Sequence, residues 1–166
     1  DEDDCSATDG SLYDNTQTLI DSPLGPLTSF RCFEFGITCN INSRVAQGQR
    51  TDCVPRDDAD ALLHPISRYT NFLTSLRDPG RLVVSAIAGP TNGNSVTVGL
   101  DEYDQPDLQP SCTNVSGAAV PGFRMSAFVS SVTPPMEQAG AYTSICETSF
   151  TGALESMGAR IATQMQ

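Results

Sequence analysis

The six cysteines of this chain limit its folds more than any other feature of the sequence. Their number is even, their spacing is irregular, and none forms the C-x-x-C pair typical of zinc knuckles and redox sites. This pattern favours structural disulfides and an oxidising compartment, with free buried thiols as the alternative. We expect Cys112 to pair with Cys146, because both flank one C-terminal unit, while the other four staple a loop-rich first third. The six are Cys5, Cys32, Cys39, Cys53, Cys112 and Cys146.

The chain is strongly acidic, and its basic residues are all arginines. Nine arginines and 20 acidic residues give a formal net charge of -11. Since this field repels phosphate backbones and anionic lipid surfaces, we do not expect nucleic-acid binding. The longest apolar run, Leu82–Ala88, is far shorter than the roughly 20 residues of a membrane helix, so no membrane span is expected. A cation is the natural small partner of such a surface, although most of the acids are expected only to solvate it.

One helix–turn–strand unit gives the clearest prediction of the fold class. Pro65 can open a helix with one apolar face, and Asp78–Gly80 is typical of its end. The next run, Leu82–Ala88, is apolar and bounded by glycines, as in a strand covered on both faces. We therefore predict an α/β fold that is part of a doubly wound, mostly parallel sheet with long disulfide-stapled loops. The apolar face of the helix comprises Ile66, Tyr69, Phe72, Leu73 and Leu76.

The remaining predicted elements are short and lie between long loops. They are helices over Pro26–Ile37, over Phe123–Val132 and after Thr148 or Ser149, an edge strand over Ser95–Leu100, and a strand over Tyr142–Cys146. A doubly wound domain usually has about five or six strands, and this sequence offers one central strand and two weak ones. We therefore expect residues 1–166 to form a single domain or the C-terminal portion of one, with the N-terminal strands upstream or in a separate chain.

The acidic leading segment is the strongest candidate for a binding site. Four carboxylates in Asp1–Asp4 repel one another unless water or a cation neutralises them. An EF-hand is excluded because Ser6 stands where the loop needs glycine and Leu12 where it needs glutamate. A hard cation, Mg²⁺ or Ca²⁺, held by one or two of these oxygens is one interpretation, and a solvated acidic terminus is the other.

The sequence offers little for catalysis, so an enzyme is not expected. His64 is the single histidine and directly precedes Pro65 at a helix start, which is typical of a surface residue. No G-x-S-x-G elbow is present, and a phosphate loop is impossible without lysine. A hydrolase that uses acidic residues is the weakest alternative. The sequon at 114–116 matters only in a source that glycosylates its proteins.

Three segments together resemble the C-terminal half of von Willebrand factor A-type domains in secreted or lipid-anchored bacterial proteins, those of myxobacteria and their relatives. They are Asp1–Ser6, Phe30–Gly36 with Cys39, and Tyr142–Cys146 followed by an amphipathic helix. The resemblance implies a doubly wound fold with a metal-dependent adhesion site at the edge of its sheet. Asp1 matches the last of the three segments that build this site in the family, and the first two segments are absent.

The function expected from these observations is that of an extracytoplasmic adhesion module, whether secreted, periplasmic or on the cell surface. Its Mg²⁺ or Ca²⁺ would be held by Asp1, with Asp3 and Asp4, and would bridge to a carboxylate of a protein partner. The N-terminal half of the same domain is expected as a further partner. The alternative is a structural surface protein that binds no metal.

Overall fold

The computed structural model describes residues 2–134 and 140–164, in which helices and short strands alternate with long loops. The α-helices are α1 (Phe30–Gly36), α2 (Ile66–Leu76), α3 (Phe123–Val132) and α4 (Thr151–Gln164), and 3-10 turns cover Gly10–Tyr13 and Pro79–Arg81. The strands are β1 (Ile37–Thr38), β2 (Gly48–Arg50), β3 (Val54–Pro55), β4 (Ala86–Ala88), β5 (Val96–Leu100), β6 (Pro106–Leu108), β7 (Cys112–Asn114), β8 (Gly117–Ala119) and β9 (Tyr142–Ser144). No helix in this described part is long and apolar enough to cross a membrane.

The prediction of a doubly wound, mostly parallel sheet is wrong. The largest sheet has three antiparallel strands in the order β2-β5-β6, and β1-β3 and β7-β8 are antiparallel pairs. Within the described residues the parallel pairing is limited to β4 with β9. Ser95–Leu100, predicted as an edge strand, is instead the central strand β5. The fold is therefore a mixed α/β arrangement of small sheets.

The error has a physical cause in the run Leu82–Ala88. Its apolar residues suggested a strand buried on both faces, but only its last three residues pair, and positions 82–87 are half-buried. An apolar run cannot distinguish full from partial cover. Two antiparallel pairs, β5-β6 and β7-β8, are instead joined by short turns, which reverse the chain too sharply for a parallel connection. In the turn between β5 and β6, Asp104 has a positive φ.

The hydrophobic core lies between α1, the three-stranded sheet and the start of α3. The ring of Phe33 lies 5.5 Å from that of Phe30 and 6.4 Å from that of Phe123, measured between centroids. The guanidinium of Arg50 lies 5.7 Å from the centres of the Phe30 and Phe33 rings and closes the cluster by cation–π contact. The other buried members are Ile37, Cys53, Val96 and Val98. The core thus belongs to the antiparallel part of the fold.

The predicted helix after Pro65 is present as α2, but part of its apolar face is uncovered. Tyr69 packs edge-on against Phe128 of α3, with ring centroids 6.4 Å apart. The hydroxyls of Thr70 and Ser131 lie 2.8 Å apart beside this contact. Phe72 and Leu76, predicted on the same face, are 62% and 52% exposed. Helix α2 therefore contacts α3 along one stripe and leaves the adjacent stripe to solvent.

Three disulfides close the loops, and none of the described cysteines is free. Cys5 pairs with Cys32, Cys39 with Cys53, and Cys112 with Cys146, the pair favoured from the sequence. They span separations of 27, 14 and 34 residues, so they restrict the unfolded chain as well as the native one. Three disulfides are consistent with a protein that matures outside the cytoplasm.

Arginine side chains hold the long loop that precedes α1. Arg31 is 2% exposed, and its guanidinium donates to carbonyl oxygens of Leu12, Asp14, Gln17, Gly25 and Pro26. Arg44 donates to the Glu34 carboxylate at 2.9 Å and to carbonyls of the same loop. Because no regular helix or sheet supplies backbone N–H donors for these carbonyls, the guanidinium groups donate the hydrogen bonds instead.

We predict that Arg31→Lys lowers the free energy of unfolding by about 3 kcal/mol. A lysine ammonium cannot reach five carbonyl oxygens at once, so several buried acceptors lose their donor. Urea unfolding with the disulfides intact measures the loss. Arg81→Lys, at an exposed position, is the matched control and should stay within about 0.5 kcal/mol of the wild type. Equal stability of the two variants would contradict this role of Arg31.

We predict that Gly89→Ala destabilises the fold by about 2 kcal/mol or more. A Cβ at this buried position would overlap the backbone carbonyl of Val120, which cannot rotate away. Gly158→Ala in α4 is the control, because a Cβ there meets open space and alanine favours helix by up to about 1 kcal/mol. In thermal unfolding, the Tm of Gly89→Ala should therefore fall and that of Gly158→Ala should rise. Shifts of both Tm values in the same direction would contradict the proposed overlap.

Candidate functional site

The acidic leading segment is docked onto the start of α3. The Asp3 carboxylate accepts the backbone N–H groups of Arg124 at 2.7 Å and of Met125 at 3.1 Å, and that of Asp4 at 2.9 Å. Gly122, which precedes the helix, has no side chain to cap it. Asp3 therefore supplies the cap from a remote part of the sequence, where the helix dipole favours an anion.

Asp4 anchors the same segment by an ion pair with a buried arginine. Its Oδ2 accepts Nε of Arg124 at 3.0 Å and the hydroxyl of Ser6 at 2.8 Å. Arg124 is 1% exposed and also donates to the His64 carbonyl at 2.6 Å. Asp3 and Asp4, two of the predicted metal ligands, thus bind protein N–H and O–H groups, while Asp1 lies outside the described residues. Over residues 2–134 and 140–164, no three His, Cys, Asp or Glu side chains are grouped to hold a metal ion.

A cavity of about 290 Å³ opens beside Asp3. Its walls come from four separate parts of the chain, which are the leading segment, the first turn of α1, strand β6, and the connection from β8 to α3. Convergence of distant segments on one concavity is typical of ligand sites, and the volume is near the lower end of the usual range. The lining residues are Glu2, Asp3, Ser29, Cys32, Phe33, Asp107, Leu108, Pro110, Ala118, Ala119, Val120 and Pro121.

The chemistry of this cavity combines an apolar wall with negative charge. Phe33 and Leu108 are among its apolar residues, and its ionisable residues, Glu2, Asp3 and Asp107, are all acidic. The arginines nearest in sequence to these walls, Arg31 and Arg124, are buried and turned to other partners. A ligand with a positive head and an apolar stem therefore matches the lining in both respects.

Burial leaves the charge of Asp3 incompletely compensated. Desolvation raises the pKa of its carboxyl above the ordinary value of 3.8, and the N–H groups of Arg124, Asp4 and Met125 offset this only in part. Burial and the nearby Asp3 charge also raise the pKa of Tyr142 to about 12, so its hydroxyl stays protonated and donates to the Gly89 carbonyl at 2.7 Å. A bound cation would supply the positive charge that is needed to compensate the buried Asp3 carboxylate.

The other residues singled out from the sequence lie away from this cavity. The His64 ring has Nδ1 3.4 Å from the Arg68 guanidinium, at the start of α2. The Asn114 side chain accepts the N–H of Ser116 at 2.8 Å and so shapes the tip of the β7–β8 hairpin. Among the cysteines, only Cys32 lines the cavity, where its disulfide to Cys5 ties α1 to the leading segment.

Sequence reasoning missed Asp107, which lies in a region interpreted as loop. Its position follows from the turn between β5 and β6, where Asp101 accepts the N–H groups of Tyr103 and Gln105, each at 2.8 Å. Asp104 completes this turn with a φ of 57°. The hairpin places Asp107 opposite Gly99. The turn chemistry was a usable signal for the hairpin, but nothing local showed that it would face α1.

Comparison of the chain with models of protein families, with curated proteins and with solved structures finds no match in any of the three. The resemblance to von Willebrand factor A-type domains stays a prediction from sequence, and the doubly wound fold that it implies is not the one observed.

Proposed function

We propose that this protein is an extracytoplasmic binding module that holds a protein partner by a cationic side chain inserted in the cavity beside Asp3. The observation that supports this proposal most is that one concavity is lined by apolar residues together with three acidic residues, Glu2, Asp3 and Asp107. An arginine or lysine side chain has the matching form, an apolar stem with a charged end. The three disulfides support a site of action outside the cytoplasm, as in a secreted or surface protein.

A cationic side chain fits the described residues better than a bare divalent ion. Calcium needs about six to eight oxygen ligands within roughly 2.6 Å, and the described residues include no group of three candidate ligands. The Asp3 and Asp4 oxygens already accept hydrogen bonds from Arg124, Met125 and Ser6. A guanidinium or ammonium, by contrast, needs only one or two carboxylates and tolerates longer separations.

The closest test uses a small peptide that carries one arginine. We predict that acetyl-Leu-Arg-Leu-amide shifts the amide resonances of Phe33, Leu108 and Ala119 in an NMR titration. The same peptide with citrulline, a neutral isostere of arginine, should bind at least about fivefold more weakly. Asp107→Asn should weaken binding of the arginine peptide by a similar factor, because it removes one carboxylate from the wall.

Asp104→Asn is the matched control, since Asp104 is exposed in the neighbouring turn and does not line the cavity. Asparagine also tolerates the positive φ of that position. Equal binding of the arginine and citrulline peptides would contradict the proposal. Shifts caused by Ca²⁺ or Mg²⁺ alone, with none from the peptide, would favour the metal-dependent interpretation of Asp1, Asp3 and Asp4 instead.

We predict that, as the pH is lowered, the affinity for the arginine peptide starts to fall at a higher pH than it would if the Asp3 carboxyl had an ordinary pKa. The folded pKa of Asp3 is raised, so its ionised form is less favoured in the fold than in the unfolded chain. The contribution of Asp3 to the free energy of unfolding therefore decreases as the pH rises through its folded pKa. A bound cation offsets the cost of ionising the buried carboxyl. When the pH is lowered, protonation of Asp3 removes its attraction for the bound cation. Because the pKa of Asp3 is raised, this loss of affinity is centred above the ordinary carboxyl pKa of 3.8.

Asp3→Asn isolates this effect, because the asparagine carbonyl can still accept one N–H of α3. The variant should bind the arginine peptide more weakly at neutral pH. Its affinity should also lack the decrease that protonation of Asp3 causes in the wild type. Calorimetric titration across the acidic range measures both. An unchanged profile in a folded variant would show that Asp3 does not face the bound cation.

A further inference from the structure

An exposed stripe on α2 combines one arginine with two large apolar side chains. Arg68, Phe72 and Leu76 are spaced four residues apart, so they lie on the same face of the helix. Phe72 is 62% exposed, Leu76 is 52% exposed, and Arg68 is exposed as well. Exposed aromatic and aliphatic side chains next to a cation are typical of protein interfaces rather than of a solvated face.

Two further arginines extend this surface beyond the end of the helix. Arg77 and Arg81 are exposed and, like Arg68, have no carboxylate within 4.0 Å among the described residues. The segment from Ile66 to Arg81 contains three arginines and one acidic residue, Asp78. The other six arginines are buried or half-buried and bind carbonyls or carboxylates, namely Arg31, Arg44, Arg50, Arg56, Arg124 and Arg160. The exposed positive charge of this acidic protein is thus concentrated on α2 and the turn that follows.

The structure therefore contains both halves of a complementary contact on different elements. The cavity beside Asp3 is lined by acidic and apolar residues, and the α2 surface presents guanidinium groups beside Phe72 and Leu76. Resting on the proposed function, we propose that the partner is a second copy of this chain, whose α2 arginine enters the cavity while its apolar stripe covers the rim. Each copy carries one acceptor and one donor surface, so the contact can form reciprocally or head to tail.

Sedimentation velocity over a range of protein concentrations tests this inference. The wild type should associate as concentration rises, and about 500 mM salt should weaken the complex by screening its ion pairs. Two variants separate the surfaces. The acidic-helix variant carries R68E, R77E and R81E, and the basic-cavity variant carries E2K and D107K. Each alone should raise the dissociation constant of self-association at least about tenfold, because like charges then meet.

An equimolar mixture of the two variants provides the decisive measurement. Its donors and acceptors are complementary again, so association should return to within about threefold of the wild type. This rescue also shows that both variants are folded. E102K with E147K is the control for the cavity variant, since these exposed residues lie outside the cavity and carry the same charge change. That control should associate like the wild type.

The outcomes separate this inference from the proposed function. A wild-type protein that stays monomeric at every concentration, yet binds the arginine peptide in preference to the citrulline peptide, overturns the self-association alone. A mixture that fails to associate while the wild type does so shows that copies meet through other surfaces. Self-association rescued in the mixture supports both the contact and the cavity as its acceptor.

Discussion

The fold depends on guanidinium groups that bind backbone carbonyls where no regular ladder exists. Most strands are two or three residues long, so much of the buried backbone must find hydrogen-bond partners elsewhere. One guanidinium presents five donors in a plane and can serve several carbonyls at once. Arg31 serves five, and Arg50 reaches the carbonyls of Ser43 and Ala46 while covering the aromatic core. The disulfides close the loops, but the arginines give them a defined conformation.

This use of arginine determines how charge is distributed over the molecule. Cations that sit among carbonyls and carboxylates of the interior no longer offset the acids at the surface. Arg124, for example, is consumed by Asp4 and the His64 carbonyl. The exposed arginines, Arg68, Arg77 and Arg81, are therefore confined to α2 and its following turn, and the exposed charges elsewhere on the described residues are acidic. A composition that excludes phosphate binding overall is compatible with one local cationic surface.

The sequence predicted the helices well because their signal is local. Pro65, the apolar period of α2 and its terminating Asp78–Gly80 placed the helix to within a residue or two. The sheets were mispredicted because strand pairing depends on turns and on long-range contacts. The run Leu82–Ala88, half-buried over positions 82–87, has the same apolar pattern as a fully enclosed strand. The acids of the leading segment were identified as special, but their contact with α3 joins residues more than a hundred positions apart. No periodicity or spacing carries that information.

Asp3 links the architecture of the protein to its candidate chemistry. The N–H groups of Arg124 and Met125 fix the carboxylate in place before any partner arrives, so binding need not order it. Those same donors only partly offset the cost of burying its charge, as the raised pKa shows. Neutral serine and asparagine also cap helices well, so the cap alone does not require a buried charge. Asp3 therefore has two roles, because it anchors the start of α3 and also places an incompletely compensated negative charge beside the cavity. A cationic partner can compensate that charge.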